Sequence, residues 1–292
     1  MKFPPWIRQA ARKNKISLRC GLSANIKKDL KRFSLHTICN EALCPNKGEC
    51  FSNGEATFLI LGDICTRNCS FCSVKKNRVP LPPEPENSRI CELVLKWKLN
   101  YVVFTSPTRD DLADGGARQF ADLTTRLKKR IPHIKTEPLV PDFGGKIKSL
   151  EKVLHSSPDV LGHNIETVPS LYPKIRRGAN YKTSLEILKN SKKINPAVLT
   201  KTAIMLGMGE KREELLRLFD DLAKSGVDIL YAGQYIAPGK GYYPVAKYYT
   251  PDEFAELNEE SQKFPFKATL FGPLVRSSYK ARQTYLKALK NE

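Results

Sequence analysis

From Thr57 onward, short apolar runs alternate with longer stretches in which apolar residues recur every three or four positions. The runs Thr57–Leu61, Tyr101–Thr105, Ile134–Val140, Val160–Ile165, Leu199–Leu206 and Ile229–Ala232 read as buried strands, the first closed by Gly62. The amphipathic stretches Arg89–Leu99, Ala117–Ile131, Ser184–Ile194 and Arg212–Lys224 read as helices, the last stopped by Gly226. Strands alternating with helices imply a parallel sheet with right-handed crossovers. Six such units predict an α/β fold whose sheet closes, or nearly closes, into a barrel. Tyr279–Leu289 reads as one more helix, and Pro80–Pro85 as a stiff exposed connector.

Residues 1–38 lack this patterning and hold ten Lys or Arg against the single Asp29. They read as an extended basic arm with one short helix; a mitochondrial transit peptide has the same composition, and the arm alone does not separate the two. Over 292 residues, 49 Lys+Arg face 30 Asp+Glu, a net charge of +19, which predicts an acidic partner: nucleic acid, anionic lipid or protein. No apolar run approaches the ~20 residues that cross a bilayer, so membrane insertion is not expected.

Six of the eight cysteines fall within residues 39–72, while Cys20 and Cys91 stand apart. A long chain with no apolar signal segment at its start does not read as a disulfide scaffold, so the clustered thiols read as metal ligands. Cys65-x3-Cys69-x2-Cys72 follows the first strand, at the sheet end where parallel βα folds bind ligands. Structural zinc commonly takes four ligands. Three thiolates on a tight loop suit a [4Fe–4S] cluster with one open iron, as reductive cleavage of S-adenosylmethionine (SAM) requires. With Phe71 between its last two cysteines, this loop resembles the radical SAM superfamily. Cys39-x4-Cys44-x5-Cys50 alone fits zinc, a redox site or coincidence; beside the first trio it reads as an auxiliary iron–sulfur site lacking one ligand. Cys91 falls on an apolar helix face and reads as a small buried hydrophobe, and Cys20 as a free thiol.

Other polar groups stand at the ends of predicted strands: Thr105-Ser106, Asn164 and Glu166, Gly207–Glu210, Gln234-Tyr235. Asn164 and Glu166 suit the ribose or methionyl part of SAM, and Arg176 its carboxylate; a surface salt bridge or helix cap suits each equally well. Asp110, Asp111 and Asp114, with Gly115-Gly116, either line the mouth or start a helix. His36, His133, His155 and His163 read as structural.

The segments Leu35–Cys50, Ala56–Cys72, Arg109–Ala117, Leu139–Phe143, His163–Pro169 and Gly272–Tyr279 together resemble the lipoyl synthase family, from Pro5 nearly to the C-terminus. The resemblance implies a partial (β/α)6 TIM-type barrel of the radical SAM type over 53–265, with extensions over 1–52 and 266–292. It implies two [4Fe–4S] clusters, one on Cys65, Cys69 and Cys72 beside SAM and Phe71. The other rests on Cys39, Cys44, Cys50 and a serine of Arg276-Ser-Ser-Tyr279, Ser278 with Ser277 as fallback. A hard alkoxide suits a cluster that is to be dismantled, although serines there also cap helices.

The implied reaction inserts sulfur at C6 and C8 of an octanoyl chain on a carrier lysine, one SAM per C–S bond, with the auxiliary cluster consumed as donor. Implied partners are acidic lipoyl carriers (the H protein, the E2 subunits of 2-oxoacid dehydrogenases) and an electron donor such as a flavodoxin or ferredoxin, in the cytoplasm and without nucleic acid. The +19 charge then reads as a docking surface. Tyr243 stands where the family usually has a His, and Thr108 is a second departure. The rival readings are a biotin synthase-like sulfur inserter, an RNA methylthiotransferase and a non-enzymatic zinc-stabilised interaction protein.

Overall fold

A computed structural model describes residues 3–9, 12, 21–77 and 86–291. Among these residues ten strands form in chain order: β1 (His36–Thr37), β2 (Thr57–Leu59), β3 (Ile64–Cys65), β4 (Lys75–Lys76), β5 (Tyr101–Thr105), β6 (Lys135–Leu139), β7 (Val160–Gly162), β8 (Leu199–Leu206), β9 (Ile229–Gln234) and β10 (Ala268–Gly272). Eight of them make one sheet in the order β1-β2-β5-β6-β7-β8-β9-β10, parallel except where β1 meets β2. No pairing among the described residues joins β10 back to β2, so the barrel stays open there.

All six expected strands are present. A seventh parallel strand, β10, adds to them; its five residues, Ala-Thr-Leu-Phe-Gly, begin on alanine and end on glycine, both poor strand formers, and so carry a weak strand signal. Two longer helices also lie outside the expected set. Ile147–His155 buries Leu150, Val153 and Leu154. Pro251–Ser261 opens with a capping box in which Thr250 Oγ1 accepts from Glu253 N at 3.2 Å and Glu253 accepts from Thr250 N at 2.8 Å.

The basic arm is less extended than its composition suggested. Helix Gly21–Arg32 buries Ile26 and Leu30 in the main core with Leu35, Cys39 and Phe58. Its Asp29 is held by Lys96 and, at 2.9 Å, by Trp97 Nε1. Cys20 and the Pro80–Pro85 connector lie outside the described residues. At the other end of the chain, helix Ala281–Lys290 buries Ala281, Thr284, Tyr285 and Ala288. It packs on Val160, Leu199, Ile229 and Ala268, the residues that begin four strands. That closes the strand-start end of the barrel and leaves the opposite end for ligands. No helix among the described residues is long and apolar enough to cross a membrane.

Candidate active site

The loop bearing Cys65, Cys69 and Cys72 leaves β2 at Leu61 and Gly62, both at positive φ (66° and 80°). It is pinched at its base by the β3–β4 pair, in which Cys65 lies opposite Lys76, and by Asn77 N donating to Cys65 O at 3.0 Å. Inside the loop, Arg67 makes two forks: to Asp142 at 2.6 and 2.7 Å, and to Asp110 at 2.8 and 2.8 Å. Paired guanidinium–carboxylate contacts fix orientation as well as distance, so Arg67 ties the cysteine loop to the end of β6. Thr66 N reaches the carbonyl of Thr108 at 2.9 Å, so the family departure at Thr108 leaves the backbone contact in place.

Phe71 packs against the buried cluster of Ile175, Met208 and Tyr235, as does Tyr243. Tyr243 N donates to Ser70 O at 2.9 Å, which ties the loop carrying the other family departure to the cysteine loop. Burial raises the Cys69 thiol to about 12 and that of Cys72 to about 11.

Asn164, Glu166 and Arg176 do come together beside this loop. Asn164 Nδ2 donates to Glu166 Oε1 at 3.1 Å, and the charges of Arg176 and Glu166 both act on Cys69. Glu166 sits at φ 69°, a strained backbone for a non-glycine, held by Glu166 N to Ala203 O at 3.0 Å and Met205 N to Glu166 O at 2.8 Å. Arg176 spends part of its guanidinium on Tyr172 OH (2.7 Å) and Ser184 Oγ (2.8 Å). At the same strand ends, Ser106 Oγ and His163 Nε2 are buried without a protein partner. Unmatched buried polar groups at the strand ends fit a polar ligand such as SAM.

The remaining candidates have local duties. Asp114 accepts from Gly116 N and Arg118 N, both at 2.9 Å, and so starts a helix; Asp111 forks onto the buried Arg109 at 2.7 and 2.8 Å. Gln234 is fully occupied, donating to Leu206, Tyr235 and Lys247 carbonyls and accepting from Tyr249 N. Cys91 is buried in the core as expected.

Cys39 lies on the short helix Ile38–Glu41 and Cys50 on Lys47–Ser52. Between them, Cys44 N donates to Cys39 O at 3.1 Å. The C-terminal segment meets this trio through three side chains that sequence reasoning passed over. Asn46 Nδ2 donates to Leu274 O, Tyr279 OH to Glu49 Oε1 at 2.8 Å, and Thr57 Oγ1 to Ser278 Oγ at 2.8 Å. Thr57 also hydrogen-bonds the Cys39 thiol, which burial nonetheless raises to about 11.

A cavity of about 830 Å³ is lined by Cys39, Cys44, Cys50, Thr57, Arg276 and Ser278 among others, and Ser277 is not in its wall. Arg276 interacts electrostatically with both Cys44 and Glu166, so it stands between this cavity and the first site. Every described cysteine is a free thiol.

Comparison with known proteins agrees with this geometry. The Radical SAM superfamily model matches residues 59–222. The lipoyl synthase of Caldicellulosiruptor saccharolyticus is 46% identical over 284 residues, 97% of each chain. That of Aquifex aeolicus is 50% identical over 262 residues, 89% of this chain and 95% of its own. Among solved structures, methylornithine synthase superposes with a TM-score of 0.53 at 14% identity, covering 73% of this chain and 70% of that one. SuiB of Streptococcus suis, bound to S-adenosylmethionine, gives 0.55 at 15% identity over 73% and 49%. These two likenesses speak to the fold. With this fold, with its first cysteine trio at the mouth of the barrel and with relatives matched along nearly the whole chain, the protein belongs to the lipoyl synthase family of radical SAM enzymes.

Proposed function

We propose that the chain converts an octanoyl group on a carrier-protein lysine into a lipoyl group by inserting sulfur at C6 and C8. One observation carries the residue-level reading: Ser278, brought from the far end of the chain, shares a cavity with Cys39, Cys44 and Cys50 and hydrogen-bonds Thr57, which also touches Cys39. Three thiols and one hydroxyl supply the four ligands of a second [4Fe–4S] cluster. When bound, the cluster on Cys65, Cys69 and Cys72 supplies the electron for SAM cleavage, and the second supplies sulfur.

The chain's own residues hold and orient. Arg67, through Asp142 and Asp110, fixes the first cysteine loop, and Phe71 covers it together with Tyr243. Asn164, Glu166 and Arg176 bind SAM, with Ser106 and His163 offering further hydrogen bonds. Burial keeps the Cys39, Cys69 and Cys72 thiols protonated at neutral pH, so loading iron releases protons there. Among the described residues no three His, Cys, Asp or Glu converge closely enough for one metal ion. Free thiols at every described cysteine fit a reducing cytoplasm. The partners are acidic lipoyl carriers, docked on the basic surface, and a flavodoxin or ferredoxin.

The test is anaerobic. Reduced, reconstituted protein is incubated with SAM and an octanoyl-lysine peptide, and the peptide gains the mass of two sulfurs. A reconstituted protein that cleaves SAM yet never adds sulfur contradicts the proposal. Ser278→Ala loses auxiliary iron and keeps SAM cleavage; wild-type product from that variant overturns the ligand assignment.

A further inference from the structure

The barrel interior holds an ion pair that the sulfur chemistry leaves unused. Lys201 of β8 and Glu137 of β6 meet at 2.7 Å with side chains only 3% and 2% exposed. Strand β7 lies between theirs, so the contact spans the inside of the barrel. Tyr101, at the start of β5, donates to the other oxygen of Glu137, and Lys201 Nζ sits 4.3 Å from the ring centre of Tyr231 on β9. Four strands are thereby joined through one charged layer. Such pairs are weak evidence for stability, because well-packed apolar residues often serve as well; a positional duty is a better reason for one.

Both tyrosines of this layer face the C-terminal helix. Tyr231 OH donates to Thr284 Oγ1 at 2.7 Å, and the rings of Tyr101 and Tyr285 lie 5.5 Å apart. The helix they seat, Ala281–Lys290, follows directly on the segment that carries Ser278. We infer that Lys201 and Glu137 are positioning residues: by fixing Tyr101 and Tyr231 they seat the C-terminal helix, and the seated helix holds Ser278 against Thr57 and the cysteine trio.

The inference rests on Ser278 being a ligand of the auxiliary cluster. A ligand that must hold an intact cluster and release it during turnover needs its backbone anchored by something other than the metal. Asn46 and Glu49 anchor the segment from the N-terminal side through Leu274 and Tyr279. The charged layer anchors it from within the barrel.

The experiment uses the full-length, anaerobically reconstituted chain. Thr284→Val and Tyr231→Phe each remove the single hydrogen bond between layer and helix while keeping the side-chain shape. Three quantities are read: amide hydrogen exchange across residues 276–282, iron per chain, and 5′-deoxyadenosine formed from SAM. Exchange is expected to rise about tenfold, as for the loss of one buried hydrogen bond. Auxiliary iron falls, and SAM cleavage stays at the wild-type rate. The double variant Lys201→Met with Glu137→Leu removes both charges together, avoids an unpaired buried ion, and gives the same pattern. Wild-type exchange and iron in these variants, with iron still lost in Ser278→Ala, overturn the inference and leave the ligand reading standing. If Ser278→Ala itself keeps its iron, the ligand reading fails instead, whatever the exchange shows. SAM cleavage falling in step with iron marks a general loss of fold and also overturns the positioning role.

Discussion

Replacing Gly233 by alanine puts a methyl group where no atom fits. Gly233 lies on β9, paired with Gly272 of β10 on one side and Met205 of β8 on the other. A Cβ there comes 1.9 Å from the carbonyl oxygen of Val275 and 3.1 Å from Arg276 Nη1. Ordinary contact between such atoms begins near 3.5 Å, so the gap must open by about 1.5 Å. A strand hydrogen-bonded on both sides does not yield that far. The retreat falls on Val275 and Arg276, and Ser278 follows. Metal-ligand distances tolerate only about 0.2 Å, so the serine is withdrawn from bonding range. Overpacking of this kind costs about 1–3 kcal/mol. At roughly 2 °C per kcal/mol for a chain of this size, the melting temperature falls by about 2–6 °C. Iron per chain, about eight when both clusters are built, falls toward four, while SAM is still cleaved to 5′-deoxyadenosine. Anaerobic reconstitution followed by iron, melting and 5′-deoxyadenosine measurements checks all three. A Gly233→Ala protein with full iron, unchanged melting and wild-type lipoyl product refutes the close-packing argument.

Asp142→Asn takes a carboxylate 2% exposed from Arg67, which keeps only the half-exposed Asp110. Stability drops by about 2–3 kcal/mol, read as an earlier urea midpoint, and first-cluster iron becomes labile; an unchanged midpoint contradicts the role given to Arg67. Cys65→Ala abolishes 5′-deoxyadenosine formation while auxiliary iron persists, and residual SAM cleavage by that variant removes Cys65 from the first site. Burial lowers His163 to about 4 from its ordinary 6.5. The unfolded chain therefore binds this proton first: the contribution is complete above pH 6.5 and lost as pH falls toward 4, on the order of 3 kcal/mol. Urea midpoints at pH 7 and 5 fall further apart in the parent than in His163→Asn, and equal differences in the two refute this assignment.

Much of the site was legible because its chemistry is local. The two trios each sit within a dozen residues, and Phe71 and the strand-end groups Asn164 and Glu166 follow from the βα period. What sequence hid is long-range or backbone-borne. Arg67 looked like any loop arginine until Asp142 was placed at the end of β6. Thr57 looked like the first residue of a strand until Ser278 arrived beside it. The mouth aspartates split by geometry alone, Asp110 holding the cysteine loop while Asp114 starts a helix. Gln234, expected at the mouth, proved to be spent on backbone groups of its neighbours. β10 escaped because a run that begins on alanine and ends on glycine has few strand-forming residues.

The contacts that complete the second trio join residues separated by 221, 228 and 230 positions. A ribosome delivers Cys50 more than 200 residues before Ser278. During synthesis the chain therefore exposes a three-thiol half-site while the whole barrel is made, and the proposed fourth ligand, its tether to Glu49 and the helix that follows it arrive together afterwards. Maturation of the auxiliary site thus reports that the barrel has been completed. A chain stopped before Arg276 retains every cysteine and lacks the means to finish the site.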